Sequence, residues 1–461
     1  MQRIRRNGRC VICNVNQFEV IAMGPPKNTV CTMDSAALDT IHAERIGWQF
    51  RSTPSALSGL TLDEAAASRP GLFDGGFLGP VVVLDAEALD HNLRTMSRWC
   101  AARGVQLAPH GKTTMAPQLW ARQIELGAWG ITAANAGHLR IYRAFGVSRI
   151  LLANQLVDPA ALRWLATELD THPGFEFSCW IDSVRGVELM TRELLATGSR
   201  RKVDVIVELG AEGGRTGARD VPAAFAVAQA AHESPALRLI GTGGYEGALS
   251  HGTDEESLAL VKSYVDDIRS LTIQLHDKGF LAEAEQVVVT AGGSAYFDQV
   301  ADSLTTGWPD GLDVLPVLRS GAYLTHDDGF YRGISPLGES PRISGVESFR
   351  PAFRAWAQVT SKPAPDLALL TLGKRDASFD EGMPEPQLLR KPGQGPETLT
   401  GHEVTKLNDQ HAFLVLPADS PVEVGDWVGL GLSHPCTVFD KWPLIPLVDG
   451  ETVVGFVRTY F

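Results

Sequence analysis

The chain has 461 residues, 44% of them hydrophobic and 21% charged, with a formal net charge of −13. That length supports two or three domains around a large buried core, and the composition is that of a globular protein. An acidic balance with no dense Lys/Arg run beyond the first few residues argues against nucleic acid, and no apolar run reaches the ~20 residues a membrane span needs.

The opening stretch, MQRIRRNGRCVICNVNQFEVIAMG, is basic and then mixed. Asn14, Asn16, Gln17 and Glu19 interrupt its apolar part, and no small-residue cleavage site closes it, so the expectation is a cytoplasmic chain. The six cysteines, Cys10, Cys13, Cys31, Cys100, Cys179 and Cys436, are too sparse for a disulfide framework. Cys10 and Cys13 form a CxxC without a β-α-β pattern around it, and they read as incidental thiols. Residues 1–50 have poor periodicity and read as a leader of unclear role, with Met23 or Met33 as alternative starts.

From residue 80 short apolar runs alternate with amphipathic stretches. The runs are VVVLD, VQLAP, WGITA, RILLAN, FEFSCWID, VDVIVELG, LIGTGGYEG, QVVVTAGG and DVLPVLRSG. Between them, segments such as DAEALDHNLRTMSRWCAARG and DPAALRWLATELDTH carry apolar residues at helical spacing. Strand and helix in alternation predict a parallel α/β protein, and about eight units predict a closed (β/α)8 barrel over 51–335. One of the nine runs lies outside that barrel, and the strand near 80–85 is a candidate to join the next domain. From 336 to 461 the pattern turns to β-rich pieces with Pro and Gly between them, read as a mainly-β domain in which VEVGDWVGLGLSHPC forms a hairpin about Gly425-Asp426.

In a parallel barrel the chemistry collects at the C-terminal strand ends. The second run ends in APHGKTT, placing His110 and Lys112 there. A lone lysine is ordinarily a surface residue, but in a barrel mouth desolvation frees its amine for imine chemistry. The run TAGGS offers successive N–H groups at Gly292, Gly293 and Ser294, suited to a phosphate, although tight turns need glycine anyway. GGRTG adds Arg215 and Thr216, and TGGYEG adds Tyr245 and Glu246. An imine-forming lysine, an anion cup and an aromatic side chain are what a pyridoxal phosphate site requires. In SHPCTVFDKW, His434 and Cys436 stand two apart, which on a strand puts both on one face. Two ligands fall short of a closed zinc cage. They mark an open metal site, or else a core thiol beside a satisfied histidine.

PVVVLDAEALDHNL resembles the opening strand and helix of the alanine-racemase-like, fold type III pyridoxal phosphate enzymes, and PHGKTT resembles their cofactor lysine motif. GGRTG, YEG and AGGS follow in that group's order, and SHPCTVFDKW resembles the metal-binding segment of the D-serine dehydratase and D-threonine aldolase family. The resemblance spans about residues 75–461.

It implies that Lys112 bears the pyridoxal phosphate and acts as base, with His110 in the same site, and that Gly292, Gly293 and Ser294 hold the phosphate. It adds Thr216, Tyr245, Gln155 and Tyr323 as further contacts, and His434 and Cys436 as ligands of a divalent metal. It further implies a homodimer acting on a small D-amino acid. Within the family, cysteine as second ligand goes with dehydration and a carboxylate with aldol cleavage, and a thiolate with an imidazole selects zinc over harder ions. The expectation is therefore a zinc-dependent D-serine dehydratase yielding pyruvate and ammonia, with D-threonine aldolase as the alternative. A cofactor carrier lacks the β domain in that resemblance, and a racemase leaves the metal pair unexplained.

Overall fold

The computed structural model describes residues 30–461. Cys10, Cys13 and Met23 lie outside the described residues. Residues 30–50, assigned to the leader on sequence grounds, include the helix Ser35–His42, and Ile41, Ile46 and Phe50 are buried in the main apolar core.

The nine apolar runs correspond to nine strands: β1 (Val81–Asp85), β2 (Gln106–Leu107), β3 (Ile131–Ala133), β4 (Arg149–Gln155), β5 (Glu176–Ile181), β6 (Val203–Glu208), β7 (Leu237–Gly243), β8 (Val287–Ala291) and β9 (Val314–Leu318). Eight of them form one parallel sheet in the order β2-β9-β8-β7-β6-β5-β4-β3. Its two ends meet through the parallel bridge His110↔Thr132, so the sheet curls back on itself as a barrel does. A cluster of Ala108, Leu151, Trp180, Ile206, Ile240, Val288 and Val317, separate from the main apolar core, packs together along these strands. The crossover helices begin with side-chain caps, among them Asp158 on Ala161, Ser183 on Gly186 and Asp220 on Ala223.

The second domain is antiparallel and comprises β10 (Phe353–Ala364), β11 (Leu367–Leu370), β12 (Glu385–Arg390), β13 (Pro396–Thr398), β14 (Glu403–Leu407), β15 (Ala412–Val415), β16 (Trp427–Gly431), β17 (Leu444–Asp449) and β18 (Thr452–Arg458). β1 belongs to this sheet. It pairs antiparallel with β10, Val81 opposite Trp356, and parallel with β17, Leu84 opposite Leu447. The chain thus begins its ordered sheet in the β domain and enters the barrel through the helix Ala86–Arg103, capped by Asp85.

Two local expectations fail. The stretch before Gly425-Asp426 is not a strand, and β16 pairs with β10 and β12 instead of forming a hairpin with its predecessor. SHPC is likewise no strand: β16 stops at Gly431, His434 takes φ +48°, and Cys436 opens the short helix Cys436–Phe439. Pro435 supplies no N–H to a ladder and stands at the start of that helix. Among the described residues no helix is long and apolar enough to cross a membrane.

Candidate active site

A cleft of about 490 Å³ opens at the C-terminal ends of the barrel strands and is closed on one side by the β domain. Lys112 lies in it, on the turn Gly111–Thr113 just past β2. Gly111 makes that turn possible, since a Cβ there would stand 2.7 Å from the Tyr142 hydroxyl and 2.8 Å from Ile131. Burial pushes the Lys112 ammonium below its ordinary 10.5; Cys436 opposes the shift, while Arg215 and Arg319 add to it. His110 lines the same cleft, and burial first, then Lys112 and Arg319, press its imidazole well below 6.5, toward the neutral form.

The other strand ends contribute in order. Thr216 and Gln155 both donate to Glu208 at the end of β6, at 2.9 and 2.6 Å, so one buried carboxylate fixes both side chains. Burial raises the Glu208 pKa against those hydrogen bonds. Thr216 and Glu208 line the cleft, whereas beside Gln155 it is Asn154 that does so. Tyr245 forms part of the wall with the Arg215 guanidinium 4.9 Å over its ring, and burial raises its phenol to about 12.

The glycine turn is differently arranged from a free anion cup. Gly292 and Gly293 donate their N–H groups to the buried Glu246 carboxylate at 2.9 and 2.6 Å. Ser294 remains on the cleft, its hydroxyl accepting from the Ala322 N–H at 3.2 Å. Tyr323 points elsewhere: fully buried, it accepts from Gln123 at 3.0 Å and lines a smaller cavity beside the helix Ala86–Arg103.

Arg319, which sequence reasoning passed over, is 1% exposed and lines the cleft. It donates to Thr290 at 2.6 Å and to the Gly244 carbonyl at 2.5 Å, and it lies 4.8 Å over the Trp180 ring. Its signal is in RSGAY, a strand end that carries a charge. Nε of Arg319 and Nδ1 of His110 are buried with no partner among the described residues. Two orphaned polar atoms beside a desolvated lysine fit a bound polar cofactor, so Lys112, His110, Ser294, Arg319 and Tyr245 are the residues that would hold pyridoxal phosphate.

His434 and Cys436 line the cleft from the β-domain side. Cys436 Sγ lies 3.5 Å from the Thr113 hydroxyl, next to Lys112. His434 Nδ1 is 2.6 Å from Asp380, which orients the ring toward Cys436. Its hydrogen bond to Cys436 is the main cause that lifts the imidazole to about 9; burial opposes this, and the charges of Cys436, Glu381 and Asp380 add to it. Among the described residues no group of three or more His, Cys, Asp or Glu side chains gathers to hold a metal ion. An imidazole and a thiol that share one cleft, the first oriented by a carboxylate, fit an ion held by two protein ligands with its other positions open.

Residues 352–448 match the family model described as the putative serine dehydratase domain. The chain is 27% identical over 379 residues to the D-threonine aldolase of an Arthrobacter species, covering 81% of this chain and 88% of that one. The crystal structure of D-threonine aldolase from Filomicrobium marinum superposes with a TM-score of 0.70 at 25% identity, covering 83% of this chain and 95% of that one. A D-threo-3-hydroxyaspartate dehydratase, solved in the metal-free form with a cysteine replaced by alanine, has the same fold, with a TM-score of 0.65 at 21% identity over 83% and 98% of the two chains. The chain thus has the alanine-racemase-like fold and is similar over about four fifths of its length to D-threonine aldolase, a pyridoxal phosphate-dependent lyase, with residues 352–448 matching the putative serine dehydratase domain.

Proposed function

We propose that the protein is a pyridoxal phosphate- and zinc-dependent dehydratase of D-β-hydroxy amino acids, with D-serine converted to pyruvate and ammonia. The observation that carries this reading is Cys436 on the cleft wall, two residues from His434 and beside the Lys112 turn. A cysteine is also the residue replaced in the dehydratase variant solved in the metal-free form.

When bound, pyridoxal phosphate supplies an electron sink for a carbanion at Cα, and zinc supplies positive charge where the β-hydroxyl departs. Lys112, whose amine is kept neutral at lower pH by burial, takes the α-proton of the D-substrate. Arg215 and Arg319 keep the surroundings of that amine cationic and opposed to reprotonation. His434 and Cys436 would hold the metal as imidazole and thiolate, a soft pair that selects zinc, and Asp380, 2.6 Å from Nδ1, would orient the ring. Elimination of the hydroxyl leaves an enamine that hydrolyses to the keto acid and ammonia.

D-threonine cleavage to glycine and acetaldehyde is the second reading, favoured by the 27% identity to a D-threonine aldolase. Purified protein incubated with D-serine, D-threonine and their L forms decides between them. Keto acid and ammonia from the D forms alone are expected, and glycine plus acetaldehyde from D-threonine would overturn the dehydratase assignment. A cytoplasmic homodimer belongs to the same proposal. Phe379 and Met383 are 40% and 42% exposed on either side of the cleft-lining Glu381, apolar surface suited to a second copy.

A further inference from the structure

One buried carboxylate outside the cleft joins the two domains at the place where the chemistry is assembled. Asp327, 1% exposed, lies in the THDDGFY segment that follows β9. Its Oδ1 accepts the backbone N–H groups of Gly329, Tyr331 and Arg332 at 3.1, 2.8 and 3.2 Å. Its Oδ2 accepts the backbone N–H of His434 at 3.1 Å. The first set fixes the turn that carries Tyr331 into the cleft wall, and the second holds His434 in the left-handed conformation, φ +48°, which a residue with a Cβ seldom takes unaided.

The neighbouring contacts run along the same seam. Asp328 N–H donates to the Leu432 carbonyl at 2.9 Å, and the Ser433 hydroxyl donates to the Glu381 carbonyl at 2.7 Å. Ser378 donates to the Ser433 carbonyl. Gly329 lets the two segments touch, since a Cβ there would lie 2.5 Å from the Ser433 side chain. Asp327 does not line the cleft, and all four of its hydrogen bonds go to backbone N–H groups, so it acts through what it holds.

We propose that Asp327 is a positioning residue whose carboxylate ties the His434 backbone to the Tyr331 turn, holding the β domain's metal-facing histidine in place at the barrel mouth. The proposal rests on the metal reading of His434 and Cys436. Asp327→Asn keeps the shape but turns one acceptor into a donor that faces N–H groups.

The test is the zinc affinity of the holo-protein, measured by competition with a chromophoric chelator, with the borohydride-reducible Lys112 chromophore read in the same samples. For Asp327→Asn zinc affinity is expected to fall about 10- to 100-fold, the range for loss of a group that orients a ligand, while the chromophore stays. Unchanged zinc affinity in Asp327→Asn, with affinity lost in His434→Ala, overturns the proposal. Unchanged affinity in His434→Ala instead removes the metal reading. Amide hydrogen exchange of the wild-type protein then decides the tie alone, as it also does where Asp327→Asn does not fold. Segments 329–332 and 433–437 exchanging as one unit support it, and exchange of the two at independent rates overturns it.

Discussion

Lys112 has two guanidinium groups and a thiol for neighbours, and burial sets the sign of its behaviour. A lysine whose folded pKa lies below 10.5 is half neutral at a correspondingly lower pH, so it reacts with an aldehyde where a surface lysine is still protonated. The rate at which cofactor-free protein forms a borohydride-reducible linkage with pyridoxal phosphate is therefore expected to be flat at high pH. It should fall about tenfold per unit only below a midpoint under 10.5. A midpoint at or above that value contradicts the burial argument, and Lys112→Ala should form no linkage at all. The position of Lys112 just past a strand end was legible in the sequence, and the structure places it with His110, Thr216, Tyr245, Gly293, Ser294, His434 and Cys436 around one cleft. Glu208 and Arg319 were not, and Glu246 was read only as a strand-end residue. Their partners sit on other strand ends, as Glu246 binds Gly292 and Gly293, and nothing in the spacing of YEG shows that its carboxylate occupies the turn read as a phosphate cup.

At the level of elements, periodicity located all nine runs from 81 to 318 as strands, because parallel strands buried on both faces are continuous apolar segments bounded by helices. Periodicity could not say which sheet β1 joins. Its partners, Trp356 and Leu447, are hundreds of residues downstream, and a buried strand of the barrel and one of the β domain have the same texture. The transition from β1 into the barrel depends on Asp85, whose side chain caps the helix Ala86–Arg103 by accepting from Ala88 N–H at 2.7 Å. Asp85→Ala is expected to cost about 1 kcal/mol of stability by urea denaturation, the usual worth of such a cap, with the chromophore retained. A change below about 0.3 kcal/mol would mean that β1 pairing alone fixes the helix start.

For the whole molecule, the barrel and the β domain are not separable pieces joined by a linker. β1 has both its neighbours, β10 and β17, beyond residue 352, so a chain ending at 339 leaves a fully buried strand, BBBBi in pattern, with no partners. The segment just after Lys112 is anchored from the same side. Gln118 donates to the Phe456 carbonyl and accepts the Arg458 N–H, both at 2.9 Å, and the Met115 carbonyl accepts the Tyr460 N–H at 2.9 Å. A fragment 1–339 is therefore expected to aggregate and to carry no pyridoxal phosphate absorbance. In the full chain, Gln118→Ala strands one buried and one half-buried backbone group and should cost about 1–3 kcal/mol. The two measurements separate the possible causes. If the fragment were monomeric, helical by circular dichroism and loaded with cofactor, the barrel would be self-sufficient and the Lys112 turn would owe nothing to β18. If only Gln118→Ala destabilises while the fragment stays loaded, the anchor stabilises the whole fold without shaping the cofactor site. Loss of cofactor in the fragment together with the Gln118 penalty is the result this architecture requires, since the sheet that covers β1 through β10 and β17 also holds, through β18 and Tyr460, the chain leaving Lys112.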